Sequence, residues 1–218
     1  MLKRKLTISD YLLIAVNLIP VYGVWFEEWD AKMVFLVYCL ETVIIGMANV
    51  LKMAIVTMLV SPKDKWVANG KAQMVSGLFF ILFFILHYGI FVFVQTQIFL
   101  GVSGIGSYKN IPAVLGEQGK LLLAIFIAYY TLQTFFSFFN SGQYKSISLM
   151  KLMFQPYIRI FIQQIIVITG SMFLVFGADK IFILIFAVVK IFAELFINFD
   201  RFLDKAEEKG WNQQEEEK

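Results

Sequence analysis

The chain has 218 residues, 59% of them hydrophobic and 17% aromatic, with only 16% charged and a mean hydropathy of +0.73. Soluble domains run at about 45–50% apolar and about 25% charged, so this composition excludes a disordered chain, a nucleic-acid-binding module and an ordinary soluble enzyme. The net charge of +3 hides an asymmetry: residues 1–199 carry 15 basic and 9 acidic side chains, whereas Asp200 to Lys218 carry 4 and 7. The single cysteine, Cys39, lies in an apolar run and excludes an internal disulfide framework.

A hydrocarbon core of about 30 Å needs roughly 20 mostly apolar residues per helix. Six stretches qualify, near 11–28, 33–60, 74–102, 121–139, 154–176 and 181–199. Turn and charge signals separate them. In order these are Glu27-Glu28-Trp29-Asp30, Ser61-Pro62-Lys63-Asp64-Lys65, a Gly-rich stretch from Gly101 to Gly119, Asn140-Ser141-Gly142, and Gly177-Ala178-Asp179-Lys180. Unpaired backbone is intolerable in lipid, so the spans must be helices. The expected fold is an all-α polytopic membrane protein with six transmembrane helices. They form one domain over residues 1–203, followed by a charged cytoplasmic tail, 204–218.

Orientation follows from lysine and arginine in the short loops. One side collects Lys3, Arg4, Lys5, Lys63, Lys65, Lys71, Lys145, Lys151, Arg201 and Lys205; the other has Lys32, Lys109, Lys120 and Lys180. Both termini are therefore expected in the cytoplasm, with the protein in the cytoplasmic (inner) membrane. The basic N-terminus and apolar run resemble a secretory signal, but no small-x-small cleavage site follows, so the run reads as the first span.

Away from the span ends, five charged residues fall inside the expected spans: Glu41, Lys52, Arg159, Lys190 and Glu194. His87, the only histidine, is a sixth ionisable group. Each charge at a helix centre costs about 2.5–3.5 kcal/mol. Five facing lipid would cost on the order of 10 kcal/mol, comparable to a domain's whole stability. They must therefore face the bundle interior, pair or snorkel.

Helical spacing arranges them. Glu41 and Lys52 are eleven positions apart in span 2, about 20° from one another around the helix, with Asn49 about 80° from Glu41. His87 is central in span 3, with Gln95 two turns on. Span 4 carries Gln133, Ser137 and Asn140; span 5 carries Arg159, Gln163 and Gln164; span 6 carries Lys190, Glu194 and Asn198. The expectation is a polar-cored bundle with Glu41, His87, Gln163 and Lys190 near the midplane, where transporters place ionisable groups.

Each residue also has a purely structural reading. Arg159 and Lys52 have stems long enough to snorkel. Lys190 can pair with Glu194 one turn away. The amides can act as interhelical glue at about 0.6 kcal/mol each, and His87 as a satisfied core histidine.

Catalytic and metal signals are weak. No H-x-x-x-H, C-x-x-C, phosphate loop or dinucleotide fingerprint is present. A Glu/His site using His87 with Glu41 or Glu194 is the remaining metal or cofactor option, and no catalytic residue, metal ligand set or cofactor is assigned. Gly101-Val102-Ser103-Gly104 resembles the nucleophile string of rhomboid-type intramembrane proteases, but span 6 offers no histidine to activate the serine.

The string Tyr38-x-x-Glu41-x-x-x-x-Gly46-x-x-Asn49-x-x-Lys52 resembles a signature of a family of prokaryotic multipass membrane proteins of unknown function. His87-Tyr88-Gly89-x-Phe91, Ser137-Phe138 with Asn140, Pro156-Tyr157-x-Arg159, Gly170, and Lys190 with Glu194 extend the resemblance over roughly residues 11–203. The family commonly has histidines near Gln95, Gln133, Gln163 or Gln164, and Asn198, which this chain lacks. The resemblance implies the shared fold and polar interior, argues against strong metal or haem ligation here, and supplies no function.

The resulting expectation is a membrane protein that binds or conducts a proton, ion or small polar solute. Its candidate residues are Glu41, Asn49, Lys52, His87, Gln133, Asn140, Arg159, Gln163, Lys190 and Glu194. Expected partners are the lipid bilayer and that solute, with a homo-oligomer compatible and nucleic acid excluded. A membrane-embedded enzyme or cofactor protein, and a structural or assembly protein, are the alternatives.

Overall fold

The computed structural model describes residues 8–60, 64–68 and 71–196. Six helices dominate: α1 (Ile8–Phe26), α2 (Ala31–Leu59), α3 (Gly77–Val102), α4 (Ile111–Gln133), α5 (Leu149–Val175) and α6 (Asp179–Phe196). Each coincides with one apolar stretch of the sequence, within a few residues at most ends. The exception is α4, which starts ten residues early because two helical segments join across Gly116, whose φ of 53° breaks the helical path. The charged tail 204–218 and Asn198 lie outside the described residues.

Three helical stretches are long and apolar enough to cross a membrane: Ala31–Leu59, Gly77–Val102 and Tyr108–Asn140. The third includes a π-helical turn, Thr134–Asn140, that continues α4. Such widened turns are rare and concentrate at functional positions.

One element is not anticipated by hydropathy. Between α2 and α3, β1 (Asp64–Ala68) pairs antiparallel with β2 (Lys71–Val75), with Trp66 opposite Gln73. The intervening dipeptide is Asn69-Gly70, the strongest short sequence signal for a two-residue hairpin connection. A reading driven by apolar run length passes over it.

α2 is the central column and packs against all five other helices. Every residue from Met33 to Cys39 is buried, so this stretch is enclosed on all sides rather than along one stripe. Two cores meet along it. The first joins the N-terminal half of α2 to α1, α4, α6 and the end of α3 through Phe35, Tyr38, Phe99, Phe126 and Phe186. The second joins its C-terminal half to the start of α3, the π turn and α5 through Met53, Phe84, Tyr88, Phe138 and Met153.

The link from α1 to α2 is tight. The N–H groups of Glu27 and Trp29 both donate to the Gly23 carbonyl, at 3.1 and 3.0 Å. The Trp29 ring fills the space over Gly23, where a Cβ would sit 2.2 Å from it. Asp30 then caps α2, its carboxylate accepting from the Lys32 N–H at 2.8 Å.

Candidate functional site

Glu41 and Thr42 lie one turn after Tyr38 on α2, spacings of three and four that place each beside Tyr38 on the helix surface. Glu41 is completely buried and Lys190 of α6 is 6% exposed. The Lys190 ammonium donates to both carboxylate oxygens of Glu41. The Tyr130 hydroxyl of α4 donates to Oε1 at 2.6 Å. Lys190 Nζ also stands 5.1 Å from the ring centroids of both Tyr38 and Phe126, close enough for cation–π attraction to each. Three helices thus converge on one ion pair walled by aromatic rings.

The sequence offered Glu194, one turn along α6, as the partner for Lys190. The fold gives Lys190 to Glu41 instead, while the half-buried Glu194 is close enough to Glu41 to repel it electrostatically. The Tyr38 hydroxyl donates to the Asn17 carbonyl of α1 across 3.5 Å. The centre therefore touches four helices.

Asn49 has a different job. Its Nδ2 donates to the Leu152 carbonyl of α5 at 2.9 Å. That carbonyl would normally accept from the N–H of residue 156, but residue 156 is a proline inside α5 and has no N–H. The Asn49 amide replaces the missing backbone bond. Nearer the C-terminal end of α2 the half-buried Lys52 stands 5.6 Å over the Phe138 ring, so Glu41 and Lys52 both face α4 and its continuation, at different heights.

His87 does not join the ion pair. It is exposed on α3, and its Nδ1 lies 2.9 Å from the Tyr157 hydroxyl of α5. Tyr88, the next residue, turns inward: its hydroxyl donates to the Thr42 carbonyl at 2.9 Å, and its ring lies where a Cβ on Gly46 would be 2.6 Å away.

The remaining candidates are dispersed. Gln133 is half-buried at the end of α4, with its carbonyl accepting from Ser137, and Asn140 is exposed at the end of the π turn. Arg159 and Gln163 are on α5, with side chains outside the described residues. The buried Gln95 amide lies beside the Cys39 thiol. Ser103 ends α3, its Oγ accepting from the Ile105 N–H at 3.5 Å. Among the described residues no three His, Cys, Asp or Glu side chains gather as a metal site would require.

Tyrosine hydroxyls carry a signal that charges and amides alone do not. Tyr130 is at the centre of the stretch 121–139, and a phenol at that depth must find a hydrogen-bond partner as surely as an amide does. Hydroxyls deep in apolar stretches single out Tyr130 and Tyr88, both of which bond across to α2.

The pieces of the string beginning at Tyr38 thus take up distinct contacts with α6, α4, α3 and α5. The chain belongs to the family of unknown function DUF6498. The family model matches residues 1–218. No curated protein and no solved structure matches the chain.

Proposed function

We propose that this DUF6498 protein is a six-span integral membrane protein, with both termini in the cytoplasm, that binds or passes a proton, ion or small polar solute at the Glu41–Lys190 pair. The observation that carries the reading is the burial of that pair between α2 and α6. A buried salt bridge is poor value as a stabiliser, because well-packed apolar residues of similar volume do as well or better. In a membrane both charges carry a further insertion cost, and ionisable groups kept there mark ion pathways and proton relays.

The geometry suggests how such a site would work. Glu41 is held by two donors, and Lys190 is held by one carboxylate and two ring faces. A proton on Glu41, or a small anion competing for the Lys190 ammonium, removes the attraction joining α2 to α6. The helices would then be free to part, and re-pairing would close them. Occupancy and helix contact are linked in this scheme.

The test is flux of protons and small ions in proteoliposomes containing the purified chain. Expected is a flux abolished by Glu41→Gln and by Lys190→Met in protein that remains folded. Flux indifferent to both substitutions would refute the proposal.

A structural reading also has a specific observation in its favour. Asn49 completes the backbone of α5, so at least one intramembrane polar group serves helix packing. If Glu41 and Lys190 act in the same way, replacing both by apolar residues leaves the protein's cellular role intact.

A further inference from the structure

His87 and Tyr157 form a second polar pair, on the outer edge where α3 meets α5. The imidazole is packed almost parallel to Phe83 (5.4 Å between centroids, 27°), edge-on to Phe91 (5.2 Å, 85°), and tilted against Tyr157 (5.3 Å, 41°). Its exposed surroundings on α3 are hydrocarbon: Leu86, Ile90 and Phe91. Position 87 is near the middle of a 26-residue helix, about 15 Å by helical rise from its start.

The hydrogen bonding assigns the tautomer. The Tyr157 hydroxyl has His87 Nδ1 as its hydrogen-bond partner. A phenol proton needs an acceptor, so Tyr157 donates and Nδ1 accepts, which places the ring's own proton on Nε2. An exposed Nε2–H then stands in an apolar surface with no protein acceptor among the described residues. In hydrocarbon such a donor is costly to leave unpaired.

We propose that the His87–Tyr157 edge is a binding site for a membrane-soluble carbonyl compound with a flat ring, of the quinone class. The ligand carbonyl accepts from Nε2–H, and its ring packs against the exposed Phe91, with Tyr157 holding the imidazole in the donating tautomer. The chemistry disfavours the obvious competitors. Carbonyls of a second helix are already bonded within that helix, and acyl-ester carbonyls of lipids lie at the interface rather than at this depth. The site rests on the membrane placement proposed above but is separate from the Glu41–Lys190 pair, and loss of flux at that pair leaves it untouched.

Because His87 is the only histidine, protein labelled with ¹⁵N in the imidazole gives a single pair of ring-nitrogen signals. The full chain in lipid nanodiscs is titrated with a decyl-substituted methoxybenzoquinone, with decylbenzene as the carbonyl-free control. Expected are a protonated Nε2 and an accepting Nδ1 before ligand, and a saturable shift of the Nε2 signal with the quinone only. Tyr157→Phe keeps the ring but loses the hydroxyl, and is expected to raise the saturation midpoint about tenfold. A proton on Nδ1 in the wild type, equal shifts with decylbenzene, or an unchanged midpoint in Tyr157→Phe would overturn the proposal. So would an Nε2 signal that depends on one or two protein copies per disc, since that assigns the donor to a second chain.

Discussion

Asn49 of α2 donates to the one carbonyl of α5, that of Leu152, which Pro156 deprives of its helical partner. A proline in one helix and an asparagine in another are thereby parts of a single device. It lets α5 carry an internal proline without leaving a bare carbonyl in an apolar environment.

This makes a double-mutant cycle decisive. Asn49→Leu should cost about 1–3 kcal/mol, the usual penalty for stranding a buried acceptor. In a Pro156→Ala background, which restores the N–H at 156, the same change should cost much less. Chemical unfolding of the purified protein measures both, and equal costs in the two backgrounds would break the link.

The ion pair should show the asymmetry of buried charges. Glu41→Gln or Lys190→Met alone is expected to destabilise by about 3–5 kcal/mol, because each leaves an unpaired or under-bonded partner. The double replacement Glu41→Leu with Lys190→Met should recover most of that stability. If the double variant is as unstable as the singles, the pair is not an isolated energetic unit.

Tyr130→Phe removes one of the two donors to Glu41 while preserving ring volume. A hydrogen bond to a charged group contributes about 1.5–3 kcal/mol, and thermal unfolding should register a loss in that range. The variant should lose nothing further when Glu41 is already leucine, since the acceptor is gone.

Gly46 is where the Tyr88 ring approaches α2, so Gly46→Ala should overpack the contact at about 1–3 kcal/mol. Tyr88→Leu, which withdraws the ring, should make the alanine tolerable. Should Gly46→Ala prove neutral in the presence of Tyr88, the close approach of α2 and α3 is not as described.

The topology has its own check. In a Cys39→Ala background, single cysteines at Lys145 and Lys180 should react with a membrane-impermeant thiol reagent from opposite sides. Labelling at Lys145 from the cytoplasm only, and at Lys180 from outside only, is the expected pattern. Both from the same side contradicts the proposed orientation.

Much of this architecture is local and therefore legible in one dimension. Apolar runs specify helices, Gly and Pro with charges mark their ends, and the period of 3.6 places Tyr38 and Glu41 on one face. These signals located all six helices and nominated Glu41, Lys190, Asn49 and His87. They passed over the β1–β2 hairpin, whose five-residue strands mix polar and apolar side chains, because hydropathy averaged over a membrane-length window has little to measure there.

Pairing is a different matter. Lys190 has Glu194 one turn away on its own helix, an arrangement any helical wheel favours, yet it bonds Glu41 from the other end of the chain. His87 and Tyr88 are neighbours in sequence, but a helix turns about 100° per residue, sending one to an outer edge beside Tyr157 and the other inward to Gly46. Apolar run length and helical period locate the helices and name the polar side chains they carry. The partners come from the packing, because a side chain's contacts depend on which helix faces meet, and that choice is settled by the whole bundle at once.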